Sequence, residues 1–302
     1  MKKILIFGGS GFLGSHVADK LSQAGHKVTV FDKNKSNHLI DTQKVIVGDI
    51  LSENEVDKAV SNSDIVFNFA GISDIDEIKD NSIASVKNNI LGNTIILEAC
   101  KKHKIQRFIF ASTVYVYSGS GGFYKVSKQA CENYIENYYK TYGLQYTILR
   151  FGSLYGPRSD KRNGIYRFIN QALTERKMTF YGEPDSLREF IHVEDAASCT
   201  LEILKPEYAN QHIILTGQQL LKINELLEMI KEILNDKDIK IEYKQDVKNS
   251  HYRMTPYNYN PKYGKKMTPN LHIDLGQGLL QMIDQINKSD KVEDSNLIKE
   301  ID

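Results

Sequence analysis

Apolar residues recur along the first half of the chain in two alternating rhythms. Short β-branched or aromatic runs at 3–7, 27–31, 44–47, 64–69, 106–111 and 145–150 have the length and composition of buried strands. Between them, 12–24, 53–60, 81–103 and 122–142 repeat their apolar residues at helical spacing. Strands that alternate with helices join through βαβ crossovers, and strands apolar throughout are covered on both faces. The pattern therefore predicts an α/β fold, a parallel sheet with helices on both sides. Gly25, following Leu21-Ser22-Gln23-Ala24, supplies a C-cap that stops the first helix before Lys27 opens the next strand.

Beyond about residue 150 the rhythm shortens. Gly152, Gly156, Pro157, Gly164, Gly182 and Pro184 punctuate it, helical patterns return at 164–175, 193–204, 222–235 and 276–287, and Phe190-Ile191-His192 reads as a strand returning to the first sheet. A smaller C-terminal lobe is expected. The predicted division places 1–152 with about 186–210 in the first domain, 153–185 and 211–288 in the lobe, and a charged tail over 289–302.

Charge and cysteine usage narrow the partners. Thirty-nine Lys and Arg against 38 Asp and Glu leave a net charge of +1, so no global field holds a nucleic acid or an anionic membrane, and an anionic ligand must be held locally. Cys100, Cys131 and Cys199 lack C-x-x-C or metal-ligand spacing, which reads as reduced thiols and no metal site. The chain starts basic and then apolar, but Gly8, Gly9, Gly11 and Gly14 end that run too early for a signal peptide. A cytoplasmic location is expected.

The first strand runs straight into Gly8-Gly9-Ser10-Gly11-Phe12-Leu13-Gly14 and then a helix. Read from Gly9 this is G-x-G-x-x-G, and read from Gly8 it is G-x-x-G-x-x-G. Glycines allow a tight turn and let a pyrophosphate approach the helix N-terminus, where free N–H groups and the dipole favour negative charge. Asp32 follows 18 residues after Gly14, at the end of the second strand. A carboxylate there accepts both ribose hydroxyls of NAD and repels the 2′-phosphate of NADP. Together these features predict a Rossmann-type, doubly wound domain that binds NAD.

Gly48-Asp49-Ile50 after the third strand and Asn68-Phe69-Ala70-Gly71 after the fourth complete an order that resembles the extended short-chain dehydrogenase/reductases, the NAD-dependent sugar-nucleotide epimerases and dehydratases. The resemblance covers roughly residues 1 to 285. It implies that Gly8, Gly11, Phe12, Leu13, Gly14, Asp32, Asp49, Ile50, Ala70, Gly71 and Asn89 meet the cofactor. Tyr124 and Lys128 lie four apart, so a helix puts them on one face. A tyrosine is a poor base at neutral pH unless a neighbouring cation favours its phenolate. Tyr124 is the expected base and Lys128 its cationic partner, both of them also expected to contact the cofactor, and Thr113 is the hydroxyl that shares the substrate proton. Ser112 is the competing hydroxyl.

Arg150-Phe151-Gly152-Ser153-Leu154-Tyr155-Gly156-Pro157-Arg158 resembles the family segment that enters the substrate lobe, and Leu187-Arg188-Glu189-Phe190-Ile191-His192-Val193-Glu194-Asp195 its Arg-Asp-Phe-x-x-Val-x-Asp signature. Arg188 is then the anchor for a nucleotide diphosphate, which a planar guanidinium suits, with Ser153 and Arg253 as further substrate contacts. His192 reads as a core or edge histidine. Ser153 stands where the family carries Asn, and the loop 118–123 is shorter than the family's, which implies a more open site.

The positions after Thr113 bear on the reaction. The family's 4,6-dehydratases carry Asp-Glu there and its decarboxylases a nearby Glu, whereas this chain has Val114-Tyr115. The resemblance thus implies a nucleotide-sugar 4-epimerase acting through a transient 4-keto intermediate. A 4-dehydrogenase or 4-keto reductase, a 4,6-dehydratase, and a non-catalytic NAD-binding regulator are the alternatives. It also implies a homodimer through the helices at 81–103 and 122–142, using Ile90, Leu91, Ile95, Ile96, Tyr134, Ile135, Tyr138 and Tyr139, and a place in cell-surface polysaccharide biosynthesis.

Overall fold

The computed structural model describes residues 1–245, 254, 264–267 and 273–297. The first half alternates strand and helix: β1 (Lys3–Phe7), α1 (Phe12–Gln23), β2 (Lys27–Asp32), β3 (Lys44–Val47), α2 (Glu53–Val60) and β4 (Ile65–Asn68). Short turns α3 (Ile75–Ile78) and α4 (Ser82–Ala84) lead through a π-helical run, Ser85–Leu91, into α5 (Gly92–Lys102). Then come β5 (Arg107–Thr113), a 3-10 turn (Val114–Tyr117), α6 (Gly122–Tyr142) and β6 (Tyr146–Phe151).

Among the described residues, eight parallel strands make one sheet. Its order is β3-β2-β1-β4-β5-β6, continued by β10 (Gln211–Leu215) and β13 (Gly264–Met267). The reversal of strand order between β1 and β4 opens a crevice at their carboxyl ends, the place where doubly wound sheets bind ligands. Alternation along β1 sends Leu5 and Phe7 to one face, where α2, α5 and α6 pack, and Ile4 and Ile6 to the other, against α1 and the helix at Val193–Glu202.

A third apolar cluster lies apart from both faces. It is built by β7 (Ser153–Tyr155), α7 (Gly164–Glu175), β8 (Lys177–Tyr181), β9 (Leu187–His192), β11 (Leu220–Lys222), α9 (Ile223–Ile233), β12 (Lys240–Lys244) and α10 (Leu275–Leu297), whereas α8 (Val193–Glu202), which follows β9, is turned to the large sheet. Ile223, Leu226, Leu227 and Ile230 of α9 and Leu279, Met282, Ile283 and Ile286 of α10 recur at three- and four-residue spacing, the stripe that buries one face of a helix.

Three placements differ from the sequence expectation. The strand containing Phe190-Ile191-His192 pairs with β7 and β11, and the strand that extends the large sheet beside β6 is β10. The predicted division places that strand in the lobe; its run Ile213-Ile214-Leu215 is buried on both faces, as an interior parallel strand requires. The last helix runs to Leu297, into the stretch expected as a tail. The helix expected over 81–103 is interrupted by the π-helical run.

Candidate active site

Two clefts meet at the carboxyl end of the large sheet. The first has a volume of about 580 Å³ and is bordered by Gly8, Gly11, Phe12, Leu13, Gly14, Asp32, Ile50, Ala70, Gly71, Thr113, Tyr124 and Lys128, all expected from the sequence. The second, about 770 Å³, holds Ser153 and Arg188. Ser73, Leu154 and Arg162 wall both.

The glycines shape the first cleft by close backbone approach. A Cβ on Gly14 would stand 2.2 Å from the carbonyl oxygen of Gly8, and one on Gly8, whose φ is +75°, only 2.6 Å from the Ala70 nitrogen. The turn thus presses against the end of β4. The N-cap residue of α1, Gly11, offers no side-chain cap, and the first turn carries no acid, so the opening N–H groups and the helix dipole are left for an anion. Beside them the Ser10 hydroxyl is buried with no partner. An orphaned hydroxyl and an uncapped helix start fit the pyrophosphate of a dinucleotide. Asp32 accepts the N–H of Ser10 at 3.0 Å and that of Asn34 at 3.3 Å, which fixes its carboxylate at the cleft edge where a ribose would lie.

Two expected cofactor residues do not line the cleft. Asp49 accepts the N–H of Leu51 at 2.9 Å and pairs with Lys33 at 3.4 Å. Asn89 is buried, accepts from Ile72 N–H at 2.7 Å, and donates to the Ile72 carbonyl at 3.0 Å and to Ser127 Oγ at 2.9 Å. It clamps the loop after β4 to α6. Asn88 borders the cleft instead, because π winding adds a residue to the turn and rotates the neighbouring asparagine into that place. Arg253 lies outside the described residues.

Lys128 is buried, donates to the Ala111 carbonyl at 2.7 Å, and sits 4.6 Å from the Phe110 ring centre and 5.9 Å from that of Tyr124. Burial pushes its ammonium down to about 8, against the raising influence of Cys131 and Glu132. Thr113 closes β5 and caps the 3-10 turn by accepting Tyr115 N–H at 3.2 Å. The Ser112 hydroxyl, its rival in the sequence, donates to the buried Glu132. Gly121, at φ +100°, brings the short loop back onto the Tyr115 ring, where a Cβ would meet Cδ1 at 2.6 Å, and Tyr115 in turn sits edge-on to Tyr124 at 6.2 Å.

In the second cleft Arg188 is buried, donates to the Leu187 carbonyl at 2.9 Å, and shares the wall with Ser153, Lys79, Arg162 and Arg167. Four cations, of which Arg162 is paired with Asp160, against Asp74 on the same wall leave an excess of positive charge that favours an anionic ligand. His192 takes the role its apolar strand suggested: it is buried and caps α8.

The NAD dependent epimerase/dehydratase family profile matches residues 4–216. The chain is 31% identical over 274 residues to the dTDP-D-glucose 4,6-dehydratase of Dictyostelium discoideum, a match covering 78% of this chain and 62% of that one, less than two thirds of its length. It is 33% identical over 246 residues to the UDP-N-acetyl-alpha-D-glucosaminuronate decarboxylase of Bacillus cytotoxicus, covering 72% and 75% of the two chains. The fold is similar to that of the UDP-glucuronic acid 4-epimerase from Bacillus cereus, solved with UDP-glucuronic acid and NAD, with a TM-score of 0.83 at 25% identity over 95% of this chain and 99% of that one. With the glycine turn, the switch-point cleft and the family match in agreement, the chain belongs to the NAD-dependent epimerase/dehydratase family, enzymes whose cofactor is NAD.

Proposed function

We propose that the protein is a nucleotide-sugar 4-epimerase that works through a transient 4-keto sugar. The observation that carries this reading is the junction of the clefts: Thr113, Tyr124 and Lys128 on one side, Arg188 and Ser153 on the other, with a shared wall between. Tyr124 takes the proton of the sugar 4-hydroxyl and later returns it, and the Thr113 hydroxyl bridges the two. The Lys128 ammonium under the Tyr124 ring favours the phenolate. Bound NAD supplies a hydride acceptor that afterwards acts as donor. Arg188 holds the substrate diphosphate, and Ser153 contacts it where relatives use Asn.

The residues after Thr113 favour epimerisation over elimination. Val114 is buried, and Tyr115 packs on Tyr124, so neither position offers the carboxylates that water elimination needs. The elements around the third apolar cluster act as the substrate lobe in this reading, since they supply Arg188 and Ser153.

Proton NMR of the purified protein with catalytic NAD and a panel of UDP-, dTDP-, GDP- and CDP-sugars tests the reaction. A new anomeric signal at unchanged mass is expected. A keto product that needs stoichiometric cofactor would make it a dehydrogenase, loss of water a dehydratase, and tight NAD binding with no turnover a regulator.

We further propose a homodimer. Of the apolar group expected on the two long helices, Ile96, Ile135 and Tyr138 are packed within the chain, while Leu91, Tyr134 and Tyr139 remain exposed, with Val86 and Val126 on the same elements and Ile83 on the preceding α4. A second copy would cover them; a monomer in sedimentation equilibrium at micromolar concentration overturns this. No helix among the described residues is long and apolar enough to cross a membrane. Cys100, Cys131 and Cys199 are buried free thiols, in keeping with a cytoplasmic enzyme supplying cell-surface polysaccharide synthesis; recovery in a membrane or secreted fraction would contradict that placement.

A further inference from the structure

The last three residues of β5 point to three different partners. Ala111 offers its carbonyl to Lys128, Ser112 donates its hydroxyl proton to Glu132, and Thr113 borders the first cleft. Lys128 and Glu132 stand one turn apart on α6, so one helix face grips two neighbouring residues of the strand and leaves the third for the substrate. Glu132 is itself fixed from β6: Arg150 donates Nε to Oε1 at 3.0 Å and Nη2 to Oε2 at 2.6 Å. The remaining guanidinium nitrogen donates to the Tyr117 hydroxyl, at the end of the 3-10 turn that follows Thr113. Ser112, Lys128, Glu132 and Arg150 are all buried. A carboxylate kept there, with donors from two elements, holds its partners in one geometry.

We propose that Glu132 is a positioning residue for the reaction, setting Thr113 against Tyr124 and Lys128 by gripping Ser112 from α6 and, through Arg150 and Tyr117, the turn that follows Thr113. The inference rests on the catalytic reading of Thr113, Tyr124 and Lys128 given above. Glu132 also supports the charge of Lys128. That ammonium faces Phe110 and the Ala111 carbonyl from β5 and Tyr124, Cys131 and Glu132 from α6, and Glu132 with Cys131 opposes the effect of its burial. Arg150 and, from β10, His212 face Glu132 on its other side.

Truncating Glu132 would strand Arg150 in the interior and endanger the fold, so the first variant is Ser112→Ala, which cuts the grip on β5 and leaves the ion pair whole. In Ser112→Ala, kcat on the nucleotide sugar that the wild type epimerises is expected to fall about tenfold with KM and NAD affinity within about twofold. The ¹³C-methyl NMR signal of Thr113 is expected to shift or broaden. In Glu132→Gln the ¹³Cε titration of Lys128 is expected to move to lower pH by at least about half a unit. An unmoved Thr113 signal, a wild-type kcat in Ser112→Ala, or an unchanged Lys128 titration overturns the proposal. If Glu132→Gln does not fold, the Ser112→Ala arm decides alone. A wild type that turns over no sugar of the panel counts against the epimerase reading, and the Thr113 signal still decides this one.

Discussion

The two clefts are built from different material. In the first, the decisive approaches are between backbone atoms: the turn at Gly8–Gly14 folds on itself and against Ala70 at the end of β4, with no room for a Cβ at Gly8 or Gly14. In the second, side chains from separated segments converge, Lys79 from after α3, Ser153 from β7, Arg162 and Arg167 around the start of α7, Arg188 from β9. A site made by backbone approach is rigid and tolerates no added atom; a site made by side chains can lose one contact and keep its shape. Thr113, Tyr124 and Lys128 border the backbone-built cleft, and Tyr115, which packs on Tyr124, borders the other, so the chemistry sits next to where the two constructions meet.

Substitution at that meeting point should have the largest effect. Tyr124→Phe removes the proton carrier while keeping the ring that packs on Tyr115, and kcat is expected to fall about 10³-fold, within the range for a lost general acid–base group. NAD affinity by calorimetry and the melting temperature should hold. Activity retained in this variant would separate the chemistry from the cleft junction.

The backbone-built cleft is broken by a single methyl group. In Gly14→Ala the new Cβ would sit 2.2 Å from the Gly8 carbonyl oxygen, so the turn must shift, at a cost of about 2–3 kcal/mol in stability and about a hundredfold in NAD affinity. Gly11→Ala is its control: the Cβ there meets only Gly8 O, at 3.3 Å, and should cost under about 1 kcal/mol. Equal losses in the two variants, read by thermal melts and NAD titration, would deny the turn its special geometry.

The side-chain-built cleft should fail selectively. Arg188→Ala removes one guanidinium from the wall and is expected to raise KM about thirtyfold, roughly 2 kcal/mol for a charged hydrogen bond, with NAD affinity unchanged. A variant that lost both affinities together would mean the clefts are one unit.

The same contrast explains what the sequence revealed. Gly8, through its φ of +75°, and Gly14, through the Gly8 carbonyl beside it, are required to be glycine by the turn's own backbone, so the turn, Asp32 and the succession of β1 to β6 along the chain were legible from spacing alone. Placement by tertiary contact was not. Asn88 and Asn89 are adjacent in sequence, and only the π winding over Ser85–Leu91, where Ser85 Oγ reaches the Phe123 carbonyl, decides which borders the cleft. The run Phe190-Ile191-His192 reads as a strand, but nothing in it names its neighbours, and its register partners are Ser153–Tyr155 and Leu220–Lys222. The Glu132–Arg150 pair spans two elements, and its one trace in the sequence is a charged residue inside the buried strand Tyr146–Phe151.

Lys128 gives, per pH unit, the smallest effect and tests whether the site is as dry as its burial implies. Its folded ammonium titrates at about 8 and a free lysine near 10.5, so between these values the unfolded chain holds a proton that the folded chain has released. Stability must then rise with pH across that window, by about 1.4 kcal/mol for each unit crossed, because the penalty for burying the charge, complete below pH 8, is relieved. Other lysines and tyrosines titrate in the same range, so the quantity to read is the difference between wild type and Lys128→Met in urea unfolding of the cofactor-free protein from pH 7.5 to 10. That difference should move in favour of the wild type as pH rises. Over the same range wild-type turnover should fall, since the ammonium that favours the Tyr124 phenolate is being lost. Stability and activity with opposite slopes would place the buried cation at the join of the two clefts; a flat stability difference would mean that Lys128 keeps its proton and that water reaches the space between Phe110 and Tyr124.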